Sequence, residues 1–268
     1  MTMLLMVGVT VISAQVPTDA VATQIESSQS IDIESQRQVF RQQYRIQIQA
    51  YQEMYRQFSV VKSQFQKLET LASLEEAIVG TREVMRARDE LLIAYLDLLY
   101  FELQVSPSYQ EETKQEFLNR ITQLKNNLVT FNQLVLNSQD RQAIAERVVG
   151  FVALGEELQE LSFQTRKIIF LGKFRASAGM AQQLTQEVKN THEQFPVSAL
   201  KQGERQRAYQ ELDSIETVVQ SAWDKSILAY SDEKSYYADS YSRFVVTLSP
   251  IQTGLIRWYA LLEQSSQL

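Results

Sequence analysis

His192, in the stretch KNTHEQFP, is the only histidine of the chain, and there is no cysteine. A general base at His192 is conceivable chemistry. The residue, however, closes a helical pattern just before Pro196, where an exposed imidazole is well placed against the helix C-terminal dipole. One histidine without cysteine cannot supply the usual zinc ligand sets. It also leaves no thiolate nucleophile, disulfide framework or lipid-bearing N-terminal cysteine. A di-iron bundle needs paired Glu-x-x-His motifs, and none occurs. Adjacent carboxylates recur at Glu75-Glu76, Asp89-Glu90, Glu111-Glu112 and Glu156-Glu157. Neighbouring helical positions point about 100° apart, so these pairs do not converge on one ligand. Solvated surface near helix ends is the expectation for all four. Phosphate-cradling loops, dinucleotide fingerprints and nucleophile elbows are absent. No cofactor, metal or enzymatic activity is expected.

One local cluster of charge stands out, RKIIFLGKFR at 166 to 175. Arg166, Lys167, Lys173 and Arg175 surround five apolar residues in an otherwise acidic chain. That composition suits contact with an anionic membrane surface or cell-wall polymer. The preferred reading is plainer: a helix end whose apolar residues enter the core while its cations offset the terminal dipole.

The elements that would position these residues are helical. Glycine and proline together number only 12 in 268 residues, too few for a fold rich in strands and tight turns. With 44% hydrophobic residues the chain can bury a sizeable core. Its net charge of −6 gives nucleic acid no bulk attraction, so no nucleic-acid partner is expected. Glutamine makes up about one residue in eight, which suits neutral helix surfaces.

The opening MTMLLMVGVTVISA has an apolar run, Met3 to Ala14, with the length of a signal-peptide core and too short to span a bilayer comfortably. Ile12-Ser13-Ala14 supplies a cleavage context, so residues 1–14 are expected to be a signal peptide. No basic residue precedes the run, which makes it either an unusual signal or one whose start lies upstream. Residues 15–33 read as a flexible polar leader.

From Glu34 to Val79 there is no glycine or proline, and one long helix is expected, ended by Gly80. Its seam is Tyr44, Tyr51, Phe58 and Phe65, flanked by Met54, Val61 and Leu68. Further helices are expected at 82–105, from Ser106-Pro107 to Leu136, and at 140–171. A weak break at 172–179 then leads into a helix ending at Gln194. A second long helix is expected over 204–248, and a last one opens at Ser249-Pro250. The expected core includes Phe117, Ile121, Leu124, Leu128, Phe131 and Val135, then Ile144, Val148 and Val152, and finally Leu255, Tyr259 and Leu262.

A two-stranded coiled coil prefers branched aliphatics at its seam. This seam is aromatic and wide, as in helices with two or more neighbours. The expectation is therefore all-α: one elongated antiparallel helical bundle over 34–268, with two long helices (34–79 and 204–248) and several shorter ones. A monomer is favoured over a coiled-coil dimer. The functional expectation is an exported, non-enzymatic structural or interaction protein of a bacterial envelope or secreted assembly, with an unknown protein or envelope partner. A helical carrier of a small apolar ligand and a membrane-surface-active protein are the alternatives.

Overall fold

The computed structural model describes the backbone of residues 18–108, 110–232 and 237–268, and the side chains of 32–108, 110–227 and 242–268. The expected signal peptide at 1–14 lies outside them, as do the side chains of Tyr230, Tyr237 and Tyr241. Six helices and no strand make up the described residues: α1 Thr18–Leu68, α2 Leu71–Val105, α3 Glu111–Leu136, α4 Arg141–Gln194, α5 Ala199–Asp232 and α6 Tyr237–Ser265. The fold is the expected elongated, all-α antiparallel bundle.

Its axis is α4, 54 residues and about 80 Å long. The N-terminal half of α4 packs with α2 and α3 around Leu96, Leu103, Ile121, Leu124, Leu128 and Ile168. Its C-terminal half packs with α5 and α6 around Leu171, Leu212, Phe244, Leu248 and Trp258. Two three-helix bundles thus follow one another along a shared helix. The described part of α1 lies against α2 alone, antiparallel to it. Phe40 meets Phe101 with ring centroids 5.0 Å apart, Tyr44 meets Tyr95 at 5.7 Å, and Arg37 pairs with Glu102 at 2.9 Å.

The helix expected over 34–79 is therefore two helices. The chain turns at Glu69 and Thr70, neither of them a helix breaker by composition. Glu69 takes φ 49°, the left-handed conformation that commonly ends a helix. Thr70 then starts α2 with a reciprocal cap: its hydroxyl accepts from the Ser73 amide, and the Ser73 hydroxyl accepts from the Thr70 amide. Gly80, expected to end the helix, instead sits inside α2 where α1 comes closest. A Cβ there would lie 2.6 Å from Val61 Cγ2. Val61 is β-branched and stiff in a helix, so it has little room to yield. The same device recurs between α6 and α5, where Gly254 faces Val219 at the same distance.

Other boundaries also differ. Ser106 closes α2 rather than opening α3, which starts at Glu111. The break expected at 172–179 is continuous helix, because Leu171 and Ala181 are core residues of one uninterrupted α4. That packing outweighs the roughly 1 kcal/mol that a helical glycine costs. The long helix expected over 204–248 ends at Asp232, and Pro250, expected to open a helix, lies within α6. α1 begins at Thr18, inside the stretch expected to be a leader.

Buried or half-buried cations stitch helix ends together. Arg205 is buried and donates to the carbonyls of His192, Phe195 and Leu268, close to the end of α4 and the end of the chain. Lys114 donates to the Ser106 carbonyl just past α2, and Arg82 to the Ser138 carbonyl just past α3. Helix C-termini leave carbonyls without intrahelical donors, and cations are favourable there.

Candidate interaction surface

The stripe of α1 is built for more neighbours than it has. None of its described side chains, 32 to 68, is buried. Phe58 and Met54 are half-exposed, and Tyr55 retains 53% of its surface. Tyr51, Tyr55 and Phe58 form a chain of tilted rings 6.1 and 6.4 Å apart, with the Lys62 ammonium 5.9 Å from the Phe58 ring. A stripe this wide is expected to have two or more neighbours within the chain. The fold gives it α2 only.

Beyond the level of Arg82 and Ser138 there is no α3 left beside the hairpin. Its tip exposes Leu68 and Leu71. Between α1 and α2 near this tip runs an open groove of about 420 Å³. Its floor is Met54, Phe58, Val61 and Val79, with Gly80 at the point where Val61 packs against α2. Its rim carries Glu75, Glu76 and Glu83. Arg86 holds Glu83 at 2.8 Å and Glu90 at 3.2 Å. Glu75 and Glu76 have no ion-pair partner among the described residues. The groove was not legible in the sequence, because its two walls belong to what reads as a single helix. The usable signal was the spacing Glu76, Val79-Gly80, Glu83, which repeats a carboxylate every two turns around a small residue.

The four basic residues singled out by sequence lie in the middle of α4, not at a helix end. Ile168, Ile169 and Leu171 enter the two cores, as expected of the apolar part. Lys167 goes with them: it is fully buried, its ammonium 5.5 Å from the Phe244 ring centroid, and cannot touch an outside surface. Arg166, Lys173 and Arg175 are exposed. Arg166 lies over the Tyr95 ring at 5.7 Å. Phe170, between Arg166 and Lys173, is 36% exposed, so this face of α4 alternates cation, aromatic ring and cation.

Two other expectations need correction. Asp89, expected on a solvated surface, is completely buried, facing inward beside Met85 and Leu92. Arg88 donates to its Oδ1 at 2.9 Å while stacking 3.2 Å from the Phe151 ring centroid. Its Oδ2 has no partner. Burial raises the Asp89 carboxyl to about 6, with the nearby Arg88 charge offsetting part of that rise. His192 is expected to be exposed at a helix C-terminus. It is half-buried, with Nδ1 2.7 Å from the Tyr209 hydroxyl. Burial, helped by the Arg205 charge, holds its pKa below the ordinary histidine value, which works against the dipole-offsetting charge expected of it. No group of three or more potential ligands that could hold a metal ion occurs among the described residues. No described helix is long and apolar enough to cross a membrane. No family model, curated protein or solved structure matches the chain.

Proposed function

We propose that this chain is an exported, non-enzymatic helical protein of a bacterial envelope or secreted assembly, and that it acts by docking a partner on the α1–α2 hairpin. The observation that carries this reading is α1 itself. A 51-residue helix with an aromatic stripe is packed on one side only, and none of its described side chains is buried. A wide apolar stripe at the surface of a folded chain is characteristic of a contact surface. Support for export comes from the apolar run Met3–Ala14 and from the absence of cysteine.

The test is a photo-crosslinking amino acid placed at Tyr55 or Val79 on the hairpin, and at Gln220 on α5 as a control, in the cells that make the protein. The expected result is a discrete crosslinked species from the hairpin positions and none from the control, in an extracytoplasmic fraction whose chain begins after Ala14. Equal crosslinking at all three positions, or none at either hairpin position, would refute the docking role. An intact N-terminus in the cytoplasmic fraction would refute export.

A further inference from the structure

Two surface features of the chain match. One is the hairpin groove, with an apolar floor and carboxylates Glu76 and Glu83 seven residues apart on α2. The other is the α4 stripe, with Arg166 and Lys173 seven residues apart and the exposed Phe170 between them. Each pair spans two helical turns, about 10.5 Å. In α2 the apolar position Val79 follows Glu76 by three residues and precedes Glu83 by four. In α4, read backwards, Phe170 follows Lys173 by three and precedes Arg166 by four. Two helices laid antiparallel therefore bring Lys173 to Glu76, Phe170 to Val79 and Gly80, and Arg166 to Glu83.

Of the charges in this pairing, Glu83 already meets Arg86 and Arg166 lies over Tyr95, so the Glu76–Lys173 pair carries the argument. Glu75, Glu76 and Lys173 have no ion-pair partner among the described residues. Val79, 47% exposed, offers the ring its contact at the groove, and beside it lie the half-buried Phe58 and Met54. The two surfaces cannot meet within one molecule. Arg166 stacks on Tyr95, sixteen residues along α2 from Val79, or about 24 Å.

We propose that the partner of the hairpin groove is a second copy of this chain, presenting the Arg166–Phe170–Lys173 face of its α4. This rests on the hairpin being the docking element and names what docks there. Because groove and stripe are different surfaces, the contact is head-to-tail. Each added copy leaves one groove and one stripe free, so assembly is open-ended or closes only as a ring. Opposite charges across such a contact set its register and orientation, and like charges placed opposite one another suppress it.

The experiment is sedimentation of the full chain over a concentration series at low and high salt, with Glu76→Lys, Lys173→Glu and the two combined. Glu76 and Lys173 are exposed and have no ion-pair partner among the described residues, so helicity by circular dichroism should be unchanged. The expected result is concentration-dependent, salt-weakened association. Either reversal alone should weaken it at least about tenfold, and the combination should restore it to within about threefold of the original, because the pair is then reversed rather than lost. If a reversed variant loses helicity, Glu76→Gln and Lys173→Gln give the same reading with smaller effects. A chain that stays monomeric at millimolar concentration overturns the proposal. So does association indifferent to the single reversals, which is what aggregation through the N-terminal apolar run would give, and so does a failure of the combined variant to recover. A monomer that still gives a hairpin crosslink to another protein in cells would sink the second-copy inference and leave the docking role standing.

Discussion

Trp258→Ala is expected to destabilise the chain by about 3–5 kcal/mol, the usual range for removing a large buried aromatic ring. Trp258 is 1% exposed and is the largest fully buried side chain of the described residues. It stands where α4, α5 and α6 converge, in one cluster with Leu171, Leu212, Phe244 and Leu262. Its ring also carries a polar constraint, since Nε1 donates to Thr185 Oγ1 at 3.0 Å while the Thr185 hydroxyl donates to the Ala181 carbonyl at 2.8 Å. Trp258→Phe separates the two contributions. It keeps much of the volume and leaves the threonine oxygen without its indole donor, a loss expected to cost about 1–3 kcal/mol. Urea unfolding followed by circular dichroism gives both values from the midpoint and slope. A loss below about 1 kcal/mol for the alanine variant would mean that the second bundle is not packed around this ring.

The variant also reports on how the two bundles are joined. α4 runs unbroken from one core to the other, with Ile168 in the first and Leu171 in the second. A helix that serves both cores transmits the loss of one to the other. The unfolding transition of the alanine variant is therefore expected to move as a whole rather than split.

What the sequence disclosed and what it hid follow from the range of the interactions involved. Periodicity in α3 exposed its core, and Phe117, Ile121, Leu124, Leu128, Phe131 and Val135 are all buried. In α4 the same reasoning placed Val148 and Val152 inside, yet they are 51% and 58% exposed. The inward stripe of this half runs instead through Ile144, Phe151, Leu154, Leu158 and Leu161, and a valine one position off that stripe looks the same in sequence as one on it. The break at Glu69-Thr70 was hidden because its cap uses threonine and serine, ordinary residues in a glutamine-rich helical surface. Conversely, Gly80 looked like a helix end, and its role as a point of close approach depends on Val61 of another helix. The buried state of Asp89 was hidden for a related reason: nothing near it in sequence says which side of α2 receives α3 and α4. The groove shares this origin, since both its walls exist only once the chain has turned back on itself.

Asp89 supplies the other large effect. Its carboxyl is raised to about 6 by burial, against an ordinary value of 3.8, even with Arg88 beside it and with Glu90 adding a smaller push in the same direction. Between about pH 4 and pH 6 the folded chain keeps a proton that the unfolded chain has released. Stability contributed by this group is therefore fully present below about pH 4 and is lost as pH rises through about 6. The total amounts to about 3 kcal/mol at 1.36 kcal/mol for each pH step between the two values. A second buried atom lies in the same layer. The contacts Lys125–Asp97 and Arg82–Ser138 set the register of α2 against α3 and put Asn132 at the level of Asp89. Asn132 Oδ1 and Asp89 Oδ2 are both buried without a partner. A protonated Asp89 has a hydroxyl to donate, and an asparagine in its place has an amide. Asp89→Asn is accordingly expected to match the parent chain near pH 4 and to exceed it by up to about 3 kcal/mol at pH 8, since a buried carboxylate whose desolvation Arg88 offsets only in part has been replaced by a neutral donor. Urea midpoints of the two chains at steps across that range provide the measurement. Curves that stay parallel from pH 4 to pH 8 would show that Asp89 does not hold its proton in the fold. Curves that diverge in the opposite sense, with the variant weaker at high pH, would mean that the Arg88 pair is worth more than the cost of burying its carboxylate.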